Sequence, residues 1–353
     1  MSFALALTLC LLAVGTESEV SEVERLIEVG EFDTASALLD TSEAPAALVA
    51  RLRGVIAMEK GEFDRAAAHF EQVLSEYQGE PSTSLYLAHV YLELGRAKEA
   101  QGLLDALSSL DVVASSLVRA RVERALGRNG EAYETLLRAL ESFPKTVAPL
   151  LDLAELCATL KLSSELGRWV RAASVHPALT LDQALALIDV SYDVPRMLPA
   201  TEALLARFPD SGVLRAHLAY AYSAAQLHVA AARLFEEASR LGANTAFEAA
   251  DQYRVVGSLE DALRLNSVVT PAKRRVNQRV SILFSSRRMG RVLALEAEAE
   301  REGVLSDQNR YRFAYAHYSV GNFQRALDSA RELLDTDWRE GAQAIIDSVA
   351  RIR

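Results

Sequence analysis

Cysteine is nearly absent. Cys10 and Cys157 are the only two, and Cys10 falls in a segment expected to be removed, so the remaining chain has no internal disulfide to staple it. Cys157 stands among Leu153, Leu156 and Leu160, the setting of a small buried residue rather than a reactive thiol. Glycine, proline and aromatics are sparse, and few stretches show the β-branched alternation of strands. Positive charge is also short: 38 Lys and Arg against 48 Asp and Glu give a net charge of −10. Such a chain has no electrostatic drive toward nucleic acid, whose affinity comes largely from neutralising phosphates. What remains abundant is Ala and Leu in long runs of helix formers, and 353 residues suffice for two ordinary domains or one long array.

Chemistry-bearing patterns are missing as well. The six histidines, at 69, 89, 176, 217, 228 and 317, include no pair four apart on a helix, and one cysteine cannot build the usual zinc site. There is no phosphate-binding glycine loop and no nucleophile elbow. The expectation is no catalytic residue, no metal and no cofactor.

The first fifteen residues differ from the rest. Phe3 to Val14 is apolar apart from Thr8, too short for a bilayer span of about 20 residues and right for a signal-peptide core. Ala13-Val14-Gly15 offers a cleavage site after Gly15, although no Lys or Arg precedes the run. Residues 1–15 therefore read as a signal peptide and the protein as exported to the periplasm. A lipid anchor at Cys10 is disfavoured, because Leu9 sits where a small residue is expected and the apolar run continues past the cysteine.

A unit recurs along the remainder. Gly30-Glu31-Phe32-Asp33-Thr34-Ala35, Gly61-Glu62-Phe63-Asp64-Arg65-Ala66, Gly95-Arg96-Ala97-Lys98-Glu99-Ala100, Gly127-Arg128-Asn129-Gly130-Glu131-Ala132 and Gly321-Asn322-Phe323-Gln324-Arg325-Ala326 share a glycine followed five residues later by alanine. Twelve residues before the alanine stands a small residue (Gly54, Ala88, Ala120, Ala219, Ala314), and four after it a bulky one (Leu39, Phe70, Leu104, Leu136, Phe235). Pro144, Pro177 and Pro209 mark helix ends, since proline lacks an amide donor and disfavours helix just before it. Taking residues 35, 66, 100, 132, 165, 197, 231, 262, 293 and 326 as the anchor gives intervals of 31, 34, 32, 33, 32, 34, 31, 31 and 33. Glu165, Met197 and Leu293 depart from the small anchor.

This pattern resembles the tetratricopeptide repeat, whose period is about 34 residues. The resemblance implies an all-α, right-handed α-solenoid of about ten helix–turn–helix units over residues 16–338, with 339–353 as a capping helix and tail. It also implies a protein-binding scaffold whose first helices line a concave groove. Projecting the family's groove positions selects Arg51, Glu59, His89, Glu93, Arg121 and Arg124, then a bland middle of Leu150, Ala154, Cys157 and Ala158. Tyr220, Asp251, Arg254, Arg275 and Gln278 follow, and last Tyr311, Tyr315 and Tyr318. The three tyrosines are spaced four and three apart on one helical face, as a binding patch or as core filler between repeats. The positions that hold a chaperone's terminal carboxylate in some relatives carry Arg51, Val55, Leu85 and His89 here, so that partner is not expected.

Two further readings concern partners. The segment Lys273 to Arg291 holds seven cations (Lys273, Arg274, Arg275, Arg279, Arg287, Arg288, Arg291) and no acid. It reads as a solvated face paired with Glu296, Glu298, Glu300 or neighbouring repeats, ahead of a patch for an acidic partner or anionic lipid. The stretches Glu260–Ser267 and Gln278–Leu283 are similar to periplasmic repeat proteins accompanying TonB–ExbB–ExbD systems. That likeness implies a partner in an envelope transport or energy-transduction complex. A rigid spacer or self-assembling subunit without a groove is the alternative, and an enzyme the third.

Overall fold

The computed structural model describes residues 17–77, 80–107, 112–191 and 198–352. The expected signal peptide, Cys10 and Met197 lie outside them. The chain divides into two compact units, Met1–Val194 and Pro195–Arg353. Among the described residues every regular element is helical, and no helix is long and apolar enough to cross a membrane.

Unit 1 is a helical-repeat solenoid of paired helices. The pairs are α1 (Glu17–Glu28) with α2 (Phe32–Asp40), α3 (Ala46–Glu59) with α4 (Phe63–Glu76), α5 (Pro81–Glu93) with α6 (Ala97–Ala106), α7 (Val113–Ala125) with α8 (Asn129–Ser142), and α9 (Ala148–Thr159) with α10 (Ser163–Ser174). The single helix α11 (Leu181–Ser191) follows. From the second pair on, each first helix also touches the next one: α3 to α5, α5 to α7, α7 to α9 and α9 to α11.

Unit 2 opens with α12 (Leu198–Arg207). Then come α13 (Gly212–Ala224) with α14 (His228–Arg240), and α15 (Ala246–Val255) with α16 (Leu259–Asn266). Next, α17 (Ala272–Ser285) is followed by the short helices α18 (Met289–Leu293) and α19 (Glu296–Arg301). The last pair is α20 (Asp307–Ser319) and α21 (Phe323–Arg331), and α22 (Arg339–Ile352) ends the unit. As expected of a cap, α22 packs on α20 and α21 and buries Ala342, Ile345 and Val349.

The turn inside each pair explains the recurring glycine. Gly61 adopts φ +75°, donates to Met58 O at 3.0 Å, and is followed by Glu62, which donates to Ala57 O at 2.8 Å. This is the Schellman closure of a helix end, in which a left-handed residue lets two stray carbonyls be satisfied. The same closure recurs where glycine is absent: Lys161, Gln226 and Arg287 hold φ of +57°, +63° and +56°. Each also has the paired bonds, for example Leu162 N to Cys157 O at 2.8 Å.

Counting five residues on from the left-handed residue gives Ala35, Ala66, Ala100, Ala132, Leu166, Ala231, Ala262, Val292 and Ala326, all 4% exposed or less. The anchor of the fifth repeat is therefore Leu166 and not Glu165, and that of the ninth is Val292 and not Leu293. In α12 the buried pair Ala200 and Leu204, 2% and 0% exposed, fills the anchor and bulky positions that the sequence pattern had set at 197 and 201. With these shifts the small residue twelve before the fifth anchor is Ala154, fully buried. Gly54 shows why this position is small: a Cβ there would lie 2.5 Å from the Phe70 ring.

Candidate partner-binding grooves

In unit 1 the first helices α3, α5, α7, α9 and α11 together line a groove of about 950 Å³. Its apolar lining includes Met58, Leu92, Leu117, Leu151 and Leu187, and its polar side chains are Glu59, His89, Glu93, Arg121, Arg124, Asp152, Glu155 and Thr159. Glu59, His89, Glu93, Arg121 and Arg124 all line this groove. Arg51 pairs with Glu80 at 3.9 Å.

The middle of the groove is not bland. Leu150, Ala154 and Cys157 are 4%, 0% and 0% exposed, in the core behind the groove wall. Their places are taken by Leu151, Asp152, Glu155 and Thr159. Three of these four stand one residue further along, the same displacement as the anchor of that repeat. Burial, helped by the Glu165 charge, pushes the Cys157 thiol up to about 11, consistent with an inert core cysteine.

The two groove arginines are each met by a carboxylate of the next first helix. Arg121 Nη2 lies 3.0 Å from Asp152 Oδ1, with a second bond from Nε at 3.2 Å, and Arg124 Nη1 lies 2.9 Å from Glu155 Oε1. Burial raises the Asp152 pKa against the opposing pull of Arg121. For Arg121, burial works against the charge, but Asp152 outweighs it and the pKa ends raised. His89, 8% exposed, is driven down to about 4 by burial and then by the Arg121 charge, so it is neutral at neutral pH. The groove therefore presents apolar surface, fixed ion pairs and a neutral imidazole.

In unit 2 the predicted residues separate. Asp251 and Arg254 pair with each other at 2.8 Å on α15. Tyr220 is 38% exposed and sets its ring edge-on to Phe235 at 4.8 Å. The tyrosine cluster divides between the two readings. Tyr311 stacks on Trp338 at 5.0 Å and, with Tyr318, packs against the core under α22. Tyr315 is 36% exposed and meets Phe284 at 5.7 Å. Gln278 is a core residue, 3% exposed, bonding Phe247 O and Asn266.

Among the described residues the basic stretch has no ion pair with Glu296, Glu298 or Glu300, and it meets the neighbouring repeat instead, the other half of the expectation. Arg274 pairs with Glu248 at 2.9 Å and covers the Phe247 ring at 3.9 Å. Arg275 and Arg279 bond Val269 O and Asn266 Oδ1, and Glu296 is taken by His317. Arg287, Arg288 and Arg291 are exposed. A half-buried guanidinium that the sequence did not mark, Arg312, bonds Ser281 Oγ and Asn309 Oδ1, each at 2.8 Å. Among the described residues no three His, Cys, Asp or Glu side chains are grouped as a metal ion would require.

Residues 57–120, from the end of α3 into α7, match the family model of the tetratricopeptide repeat. A tetratricopeptide repeat protein from Parabacteroides merdae is similar in structure, with a TM-score of 0.41 and 16% identity over 65% of this chain and 94% of that one. Human IFIT1, solved as a dimer with PPP-AAAA, has a TM-score of 0.38 and 14% identity over 94% of this chain and 73% of its own. No curated protein matches the sequence. The family match covers residues 57–120, and the same turn-and-anchor geometry recurs on both sides of it.

Proposed function

We propose that the protein is a scaffold that holds a segment of a partner protein in the groove of unit 1. The observation that carries this reading is a groove of about 950 Å³ walled by first helices of successive repeats and lined by both apolar and polar side chains. Partner surfaces of this kind combine buried apolar contact with satisfied polar edges. The ion pairs Arg121–Asp152 and Arg124–Glu155 hold these polar side chains in place, so little ordering cost falls on the groove when a segment enters.

The reading extends to the periplasm, at an envelope transport or energy-transduction complex. Its support is the apolar run Phe3–Val14, the single cysteine outside it, and the likeness of Glu260–Ser267 and Gln278–Leu283 to periplasmic repeat proteins. Mass spectrometry of the mature protein from the periplasmic fraction tests the location: a chain beginning at Thr16 supports it, and an intact Met1 in the cytosol refutes it.

The groove is tested with a photo-crosslinking residue at Thr159, inside it, and in parallel at Gln72, exposed on α4. A partner band from position 159 that is lost in Leu151→Asp, with none from position 72, is expected. Equal bands from both positions, or bands from neither, would favour a spacer or self-assembling subunit.

A further inference from the structure

The turns inside the helix pairs differ in charge between the units. In unit 1 every second helix carries a carboxylate in its first turn: Asp33, Asp64, Glu99, Glu131 and Glu165. In unit 2, α14, α18 and α21 carry none. Helix α16 is the exception, with Glu260 and Asp261, and Asp261 is tied to Arg264 at 2.8 Å. The turn between α17 and α18 and the first residues of α18 hold Arg287, Arg288 and Arg291 instead, all exposed. Among the described residues none of the three has an ion-pair partner.

The turns of unit 2 stand in a row. The first helices α15, α17 and α20 pack one on the next, and near their C-terminal ends Phe284 of α17 meets Tyr315 of α20 at 5.7 Å. On the other side, Gln252 near the end of α15 bonds Ser223 at the end of α13 at 2.9 Å, and His228, the first residue of α14, at 2.8 Å. These links bring the four turns that follow the first helices onto one edge of the unit. Along that edge Leu227 and Val229 stand at the first turn, Val256 at the second and Val320 at the fourth, all exposed. The three arginines occupy the third. Single exposed aliphatics are common. Here they recur from turn to turn on either side of three unpaired guanidinium groups, in a chain of net charge −10.

We propose that this edge of unit 2 docks on a lipid bilayer with anionic headgroups. The arginines meet headgroup phosphates, and the leucine and valine tips enter the boundary between headgroups and acyl chains. Glu260 opposes the approach and is outnumbered three to one. Carboxylates more than about 10 Å from the bilayer are largely screened at 0.1 M salt, so the acidity of the rest of the chain does not prevent contact. The tips are aliphatic and lack the aromatic anchors that dominate protein interfaces, which favours a bilayer over a folded acidic partner. The edge is separate from the groove of unit 1, and its failure would leave the groove reading untouched.

The test uses the full chain with an environment-sensitive dansyl amino acid in place of Val256, and in parallel in place of Gln72 on α4. Each is titrated with vesicles of phosphatidylcholine alone, with vesicles of phosphatidylcholine mixed with phosphatidylglycerol, and with soluble poly-glutamate. The expected result is a saturable blue shift at position 256 with the anionic vesicles, and none with the other two or at position 72. Arg287→Gln, Arg288→Gln and Arg291→Gln together should weaken binding about 100-fold, about five-fold for each charge at an anionic surface. The corresponding triple Lys variant should bind as wild type, since attraction to headgroups needs the charge and not the guanidinium. Leu227→Ser with Val320→Ser should weaken binding about ten-fold through lost apolar burial. Thermal melting should stay unchanged in all three variants, whose substituted side chains are exposed. The proposal is overturned if neutral vesicles shift position 256 equally, if position 72 shifts as much, if poly-glutamate reproduces the shift, if the Gln or the Ser variant binds as wild type, or if the Lys variant binds as weakly as the Gln variant.

Discussion

The two units use the same reach between neighbouring repeats and end it differently. In unit 1, Arg121 and Arg124 each find a carboxylate 31 residues further along, Asp152 and Glu155. In unit 2, Arg312 spans the same 31 residues back along the chain and finds the Ser281 hydroxyl. Repeat geometry decides which positions meet, and side-chain chemistry decides whether the meeting is electrically complete. Unit 1 has neutralised both of its groove arginines internally. In unit 2, Arg312 meets only neutral hydrogen-bond acceptors among the described residues.

The largest expected effect breaks that contrast directly. Arg121→Leu strands Asp152, whose side chain is 12% exposed, and should cost about 3 kcal/mol, as does removing one partner of a buried pair. Arg312→Leu strands only neutral acceptors and removes a poorly compensated charge, and should cost less than about 1 kcal/mol. Chemical denaturation of the two variants decides it. Equal costs would mean that Arg312 is as well compensated as Arg121.

His89 supplies the next effect, confined to unit 1. The unfolded chain takes up its proton near the ordinary value of 6.5, whereas the folded chain refuses it until about 4. Folding stability from this group is therefore complete above pH 6.5, falls as pH drops toward 4, and then levels, a loss of about 3 kcal/mol. Asp152 works in the opposite sense: its raised pKa adds stability as the pH falls below that value, and so blunts the acid end of the loss. Denaturation midpoints of His89→Gln should be flatter than wild type over this window, and parallel curves would remove His89 as the cause.

A smaller effect contrasts the close helix contacts. At the position twelve before the anchor, unit 2 has Ala219, Ala250 and Ala314, whereas the second repeat of unit 1 has Gly54 against Phe70. Gly54→Ala gains helix propensity of about 1 kcal/mol but forces the ring to move, at about 1–3 kcal/mol. The net is a destabilisation of about 1 kcal/mol, read by thermal melting. A neutral result would show that the Phe70 pocket yields.

What could be read in the sequence follows the turns. Where glycine holds the left-handed position, helix pairing and anchor were legible, because glycine is the residue that conformation favours. Where Lys161 and Arg287 hold it, the marker vanished and the reading slid by one residue. In the fifth repeat this replaced Asp152 and Glu155 with buried Ala154 and Cys157, and hid both groove ion pairs. The tyrosine spacing gave a shared helical face but not its cover: Trp338, from the segment before α22, stacks on Tyr311 across a distance that local periodicity does not encode. Arg312 gave no signal, since its setting depends on Asn309 and Ser281 meeting it from two helices.

The same turns give the smallest prediction. A side chain in the left-handed region costs about 1 kcal/mol through its Cβ, while glycine there loses part of that advantage to its freer unfolded chain. Lys161→Gly in unit 1, and Gln226→Gly and Arg287→Gly in unit 2, should each stabilise by about 0.5 kcal/mol, or raise the melting midpoint by about 1–2 °C. Glycine at Gly61 is already optimal, so Gly61→Ala should move the midpoint down by a similar amount. Because Cβ additions at the turn glycines meet open space, packing does not confound this comparison. If the three glycine variants leave the midpoint unchanged while Gly61→Ala lowers it, the non-glycine turns are held by their own side chains, and the departure from glycine in those repeats carries no cost.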